Sequence, residues 1–166
     1  MDGQYPTRKH LRLKHYDYSQ PGYYFVTVCT AIRNQNILCS IQNVGAAALG
    51  GPQVTLTAEG EIVDQYIQNI DRAYAGQVTV DHYVIMPDHI HFIIQIHSPE
   101  NGSPRAATPT ALPQIVNTLK SLSSKKIGRP IWQRGYYDHV IRSDSDLHET
   151  RAYIQNNPLK ECDSHG

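Results

Sequence analysis

Apolar and polar positions along this 166-residue chain follow two different periods, and the switches between them mark out the elements. Tyr23–Thr30 (YYFVTVCT) is rich in β-branched and aromatic residues and follows Pro21-Gly22, which predicts a strand. Ile37–Ile41 predicts a shorter strand able to pair with it as a hairpin. From Thr57 the period lengthens. Thr57 stands as an N-cap, Glu59 and Glu61 fall in the first turn, and Ile62, Tyr66, Ile67 and Ile70 recur at helical spacing. Gln77–Met86 and His89–His97 return to the strand pattern on either side of a Pro87-Asp88 turn, so they predict an antiparallel pair. Pro113 opens a second helix through Ile115, Val116, Leu119 and Leu122, and Gly128 stops it. Tyr136–Arg142 predicts another short strand. Asp146 with Glu149 three residues on reads as a capping box for a last helix, which Pro158 is expected to end.

The resulting order is β-β-α-β-β-α-β-α. It implies an α+β fold: an antiparallel sheet with helices packed mainly on one face, the other left free for a partner. Residues 43–53 (NVGAAALGGPQ) and 98–113 (SPENGSPRAATPTALP) read as loops, the second Pro-rich and longer than an ordinary connection. Neither separates blocks large enough to fold alone. Residues 1–166 therefore read as one domain, with 1–20 as a basic N-terminal arm.

Composition changes this picture in two ways. The 15 Lys and Arg balance 15 Asp and Glu, which is not the profile of a strongly basic nucleic-acid binder, yet the charges are segregated. Arg8, Lys9, Arg12 and Lys14 stand against Asp2 in the first 15 residues, and residues 101–137 hold Lys120, Lys125 and Lys126 among their bases with no acid. Between these blocks, residues 57–88 carry six acids against Arg72. Local fields of this kind matter more to a polyanion than the total does. Second, nine His and 11 Tyr accompany only two Phe and one Trp, so nearly every aromatic carries a polar tip. The apolar stretches are too short to span a membrane, the N-terminus lacks a signal-peptide core, and three Cys favour reduced thiols in a cytoplasmic protein.

The sharpest local feature is Met86–Ile94 (MPDHIHFII). On a strand His89 and His91 share one face while Ile90, Phe92, Ile94 and Ile96 share the other. Two such imidazoles suit either a shared cation or a half-buried polar strand face. In the last helix Tyr153 and Asn157 lie one turn apart, beside the apolar stripe of Leu147 and Ile154. That spacing fits a hydroxyl laid over a sheet as well as a boundary Tyr followed by a capping Asn.

Four stretches together carry a resemblance: Tyr23–Arg33 (YYFVTVCTAIR), Met86–Ile94, the basic helix around Leu119-Lys120-Ser121, and Ile131–Pro158 (IWQRGYYDHVIRSDSDLHETRAYIQNNP). In this order they resemble the REP-associated tyrosine transposases, a branch of the HUH single-tyrosine transposases of small bacterial insertion sequences. The resemblance spans roughly residues 20–160. It implies a ferredoxin-like or RRM-like sheet with the histidines on a central strand. It also implies a divalent ion, Mg²⁺ or Mn²⁺, on His89, His91 and a third ligand at Asn157. Imidazoles alone would suit Zn²⁺ or Ni²⁺ as readily. Tyr153 would be the nucleophile that cleaves and rejoins single-stranded DNA beside a hairpin through a covalent 5′-phosphotyrosine. The protein would be cytoplasmic, a monomer or homodimer, with Arg8, Lys9, Arg12, Lys14, Lys120, Lys125 and Lys126 holding DNA phosphates. Two departures stand out: Asp88 occupies a place where many relatives have Asn, and the Trp usual after the Asn-Pro-x-Lys segment is absent from NPLKECDSHG. A non-catalytic single-strand-binding module and a nuclease that uses water are the competing readings. The first needs neither the His pair nor Tyr153, and the second tolerates loss of Tyr153.

Overall fold

A computed structural model describes residues 13–43, 51–99 and 110–164. The main sheet has four strands: β1 (Gly22–Cys29), β4 (Val78–Ile85), β5 (His89–Ile96) and β6 (Tyr137–Ile141). Their spatial order is β4-β5-β1-β6, and each neighbouring pair is antiparallel. Two further strands, β2 (Cys39–Asn43) and β3 (Pro52–Leu56), pair only with each other. Four helices complete the described residues: α1 (Ala58–Gln68), the single turn α2 (Ile70–Ala73), α3 (Leu112–Ile127) and α4 (Asp144–Ser164).

Alternation along β1 and β5 divides the sheet into two unlike faces. Tyr24, Val26 and Val28 of β1 and Ile90, Phe92 and Ile94 of β5 are fully buried against Val63 and Ile67 of α1 and Ile115, Val116 and Leu119 of α3. Each such side chain contributes about 1.5–3 kcal/mol on burial, so this layer dominates the fold's stability. The opposite face carries a smaller apolar cluster, Ile93 and Ile141 under Leu147 and Ile154 of α4. The α+β architecture is thus as expected, but the second face is not left open. α4 lies across it.

Local signals explain most boundaries. The Thr57 hydroxyl accepts from the Gly60 amide at 3.0 Å and caps α1. Gly60 has no room for a side chain, since a Cβ there would lie 1.9 Å from the Leu38 carbonyl oxygen. At the end of α3, Gly128 takes the left-handed conformation (φ 90°) and returns its amide to Ser124.

Three expectations are corrected. The strand near Ile37–Ile41 does not pair with β1, because β5 and β6 already occupy both edges of β1; it pairs with β3 instead. β3 falls partly in a segment that reads as loop: Pro52 heads the strand, where its missing amide costs nothing, and Val54 and its neighbours stay exposed. The capping box is one turn late. Ser143 caps α4 through Asp146 N–H (3.1 Å), and Pro158 lies inside the helix, where it deletes one backbone hydrogen bond without ending it.

Candidate active site

β5 presents His89 and His91 on the face beneath α4, and α4 presents Tyr153 back toward them. The ring centroids of His89 and His91 are 4.6 Å apart, and those of His91 and Tyr153 are 5.4 Å apart. Phe25 of β1 completes the cluster. It stacks on His91 at 5.3 Å and meets Tyr153 edge-on at 6.0 Å. Tyr153 is 41% exposed and so accessible to a large substrate, whereas His91 is buried. The Lys160 ammonium stands 4.9 Å from the centroid of the Tyr153 ring.

Each imidazole has a neighbour at its Nδ1. His89 Nδ1 lies 2.7 Å from Asp88 Oδ1, and the other carboxylate oxygen accepts the Asn34 amide at 3.0 Å. A carboxylate only accepts, so it holds the His89 proton on Nδ1 and leaves the Nε2 lone pair free. His91 Nδ1 lies 2.7 Å from the Thr27 hydroxyl, the residue opposite it on β1. Burial, with the charge of His89 beside it, pushes the His91 imidazole down to about 3, so it stays neutral and able to ligate at ordinary pH. Burial also works to raise the Asp88 carboxyl. The bonds from His89 and Asn34 and the charges of His89 and Arg33 outweigh it and hold that carboxyl below its ordinary value.

Asn157, one turn beyond Tyr153, is buried, and its Nδ2 has no hydrogen-bond partner. A buried amide left unsatisfied costs about 1–3 kcal/mol, which a ligand at its head group would recover. Since an amide's two ends can exchange places, the same position can offer an oxygen. Among the described residues no cluster of three His, Cys, Asp or Glu side chains converges. The freed Nε2 lone pair of His89 and, with its amide turned over, the Asn157 oxygen are groups with the chemistry to ligate a cation.

Polar bonds hold α4 at this height over the sheet. Arg151 forks onto Asp81 in the β-bulge of β4, with Nε at 2.8 Å from Oδ2, and this pairing lowers the Asp81 carboxyl and raises Arg151. At the helix start, His139 of β6 meets Asp146 at 2.8 Å. Thr27, Phe25, Asp81 and Arg151 do not stand out in the sequence, because each acts through a partner on another element. The parity of Thr27 and Phe25 on β1 was the available signal.

The basic residues do not gather at this cluster. The Lys120 ammonium donates to the carbonyls of Gln133 (2.8 Å) and Gly135 (2.9 Å) and ties α3 to the turn before β6. Lys125 and Lys126 are exposed on the last turn of α3, which packs on the far face of the sheet and whose dipole favours cations there. Lys14 is exposed, and Arg8, Lys9 and Arg12 lie outside the described residues.

No family model matches the chain. An uncharacterized protein of Haemophilus influenzae is 32% identical over 169 residues, covering 92% of this chain and 88% of the relative. A second protein of that organism, named "Putative REP-associated tyrosine transposase", is 33% identical over 110 residues, covering 57% of this chain and 60% of its own length. A solved structure described as "Structure of the REP associates tyrosine transposase bound to a REP hairpin" superposes with a TM-score of 0.61 at 20% identity, covering 90% of this chain and 73% of that one. The chain thus shares sequence with a protein of that name over little more than half its own length, and shares its fold with that solved structure. Its sheet of four antiparallel strands with helices is the fold of that transposase. No helix among the described residues is long and apolar enough to cross a membrane.

Proposed function

We propose that this protein is a metal-dependent transesterase that cleaves and rejoins single-stranded DNA beside hairpins, with Tyr153 as nucleophile. The observation that carries the reading is the placement of an exposed phenol against the His89 and His91 pair, with the unpaired amide of Asn157 one turn away. A divalent cation on His89, His91 and Asn157, Mg²⁺ or Mn²⁺ by resemblance, would polarise a phosphate and offset the charge built up during attack.

The rest follows from the chain's own groups. Asp88 and Thr27 fix the two imidazoles, and Phe25 packs water away from one side of His91. Arg151 on Asp81 keeps α4 at the height that brings Tyr153 to the substrate. A phenol ionises more readily than an alcohol, which suits it to attack phosphorus. Its proton leaves to water, the Tyr153 oxygen bonds to phosphorus, and the bond to the 3′ oxygen breaks. That oxygen takes up a proton to become a free 3′-hydroxyl. The phosphodiester energy is kept in the phosphotyrosine, so a second 3′-hydroxyl can reverse the step and join strands without a nucleotide cofactor. A hairpin flank as substrate draws support from the structural neighbour, which is described with a REP hairpin. The exposed Lys125, Lys126 and Lys14, with the basic arm, would supply phosphate contacts.

Incubation with labelled hairpin-plus-tail DNA and Mn²⁺ tests this directly. A complex that survives denaturation, absent in Tyr153→Phe while that variant still binds DNA, is the expected result. Undiminished cleavage by Tyr153→Phe overturns the reading in favour of a nuclease, and intact DNA with wild-type protein in favour of a binding module.

A further inference from the structure

Beside the His pair stands a cation that the mechanism above does not use. β1 ends at Cys29, which lies opposite His89 in the sheet and whose side chain shares the His89 and His91 face. The loop that follows is fastened to the turn before His89. Thr30 donates its amide (2.8 Å) and its hydroxyl (3.0 Å) to the Asp88 carbonyl, and the Asn34 amide reaches the Asp88 carboxylate at 3.0 Å. Asn34 makes that last bond from a left-handed backbone (φ 57°). Ala31 is tied in turn to the Ile131 carbonyl at 2.7 Å. One carboxylate therefore sets both the tautomer of His89 and the path of the loop around Arg33.

Arg33 itself is an exposed residue, yet its side chain turns back toward the sheet, with Nη2 at 3.6 Å from Cys29 Sγ. Among the described residues this thiol is its hydrogen-bond partner, and no carboxylate lies within ion-pair distance of it. A sulfur is a weak acceptor, so most of the guanidinium's donors are left over. Such a fork matches the two free oxygens of a phosphodiester, which is the anion this face would receive.

We infer that Arg33 is a substrate-binding residue, seating a backbone phosphate of the single-stranded DNA next to the phosphate attacked by Tyr153. The inference rests on the proposed function for the identity of the anion. The loop's ties to Asp88 hold this seat in register with His89, so one turn would index the strand and orient a metal ligand together.

The experiment separates binding from chemistry by using Tyr153→Phe as the parent. Fluorescence anisotropy with hairpin-plus-tail DNA, without metal, gives log K against log salt for the parent and for its Arg33→Gln and Arg33→Lys derivatives. Arg33→Gln is expected to flatten the slope by about 0.7, the value for one phosphate of a single strand, and Arg33→Lys to restore most of it. Neutral methylphosphonates placed one at a time along the tail then locate the contact. One position weakens the parent and has no further effect in Arg33→Gln. An unchanged slope, or the same methylphosphonate pattern in both proteins, overturns the inference. Covalent capture by wild-type protein is scored separately, so a failed transesterase reading leaves the binding result standing, and a failed Arg33 leaves the transesterase reading intact.

Discussion

Replacing Asp88 by Asn keeps the size and shape of the side chain and changes only its hydrogen-bonding sense. The carboxylate accepts from two donors at once, the Asn34 amide at 3.0 Å and His89 Nδ1 at 2.7 Å. An amide has one accepting oxygen and one donating nitrogen. If the oxygen stays on the Asn34 N–H, the new NH₂ faces His89 Nδ1, which must then accept, and the ring proton moves to Nε2, where a metal would bind. If the amide turns over, two donors face each other at Asn34, and an unsatisfied amide costs about 1–3 kcal/mol. Either way the metal-ready tautomer of His89 loses its support. Removal of such an orienting partner typically weakens metal affinity 10- to 100-fold, or about 1.4–2.8 kcal/mol. Calorimetric titration of Mn²⁺ into Asp88→Asn and wild-type protein without DNA reads this loss, and ¹⁵N shifts of the His89 ring report the tautomer. Unchanged Mn²⁺ affinity with the proton still on Nδ1 would refute the reasoning.

Two further outcomes follow from the same face. A folded His91 refuses a proton until about pH 3. An unfolded one accepts it below about 6.5, so metal-free protein should lose up to about 1.4 kcal/mol of stability per pH unit as the pH falls through that window. Urea unfolding with a chelator at stepped pH measures the slope, and a His91→Gln variant with an undiminished slope would contradict the assignment. For the fork of Arg151 on Asp81, Asp81→Asn and Arg151→Gln should each slow covalent capture roughly ten- to a hundredfold by letting Tyr153 drift. The double variant should be no slower than the worse single, and additive losses would show that the two residues act apart.

Which of these features could be read in the sequence depends on how local their cause is. Period-two alternation placed Ile90, Phe92 and Ile94 in the core and His89 and His91 together on the other face, as found. The stripe of Leu147 and Ile154 likewise put Tyr153 at the edge of the buried surface. Pairing partners are another matter. Nothing within Ile37–Ile41 states that β6, about a hundred residues later, will take the free edge of β1 and turn β2 toward β3. The setting of Lys120 is non-local in the same way. Its charge is legible in the sequence, but the two carbonyls that the fold brings to its ammonium are not. Pro158 reads as a stop because its effect on one hydrogen bond is certain, while the continuation of α4 beyond it depends on the rest of the helix. The surplus of polar-tipped aromatics resolves in part by the same logic. Tyr16, Tyr18 and Tyr24 form an edge-packed group at the start of β1, and the Tyr24 hydroxyl spends itself on the Gln20 carbonyl at 2.6 Å.

The two faces of the sheet also divide the work energetically. On the α1 and α3 side a continuous apolar layer supplies most of the stabilisation, and its substitution would unfold the protein without touching any reacting group. On the α4 side the apolar patch is small, and α4 is located by directed polar bonds: Arg151 on Asp81, His139 on Asp146, and the weaker approach of Gln155 to His82 at 3.5 Å. Such bonds contribute little to global stability where solvent reaches them, but they fix distance and rotation in a way apolar packing does not. A helix that carries the proposed nucleophile is thus aligned by groups sensitive to charge, on a scaffold whose stability lies elsewhere.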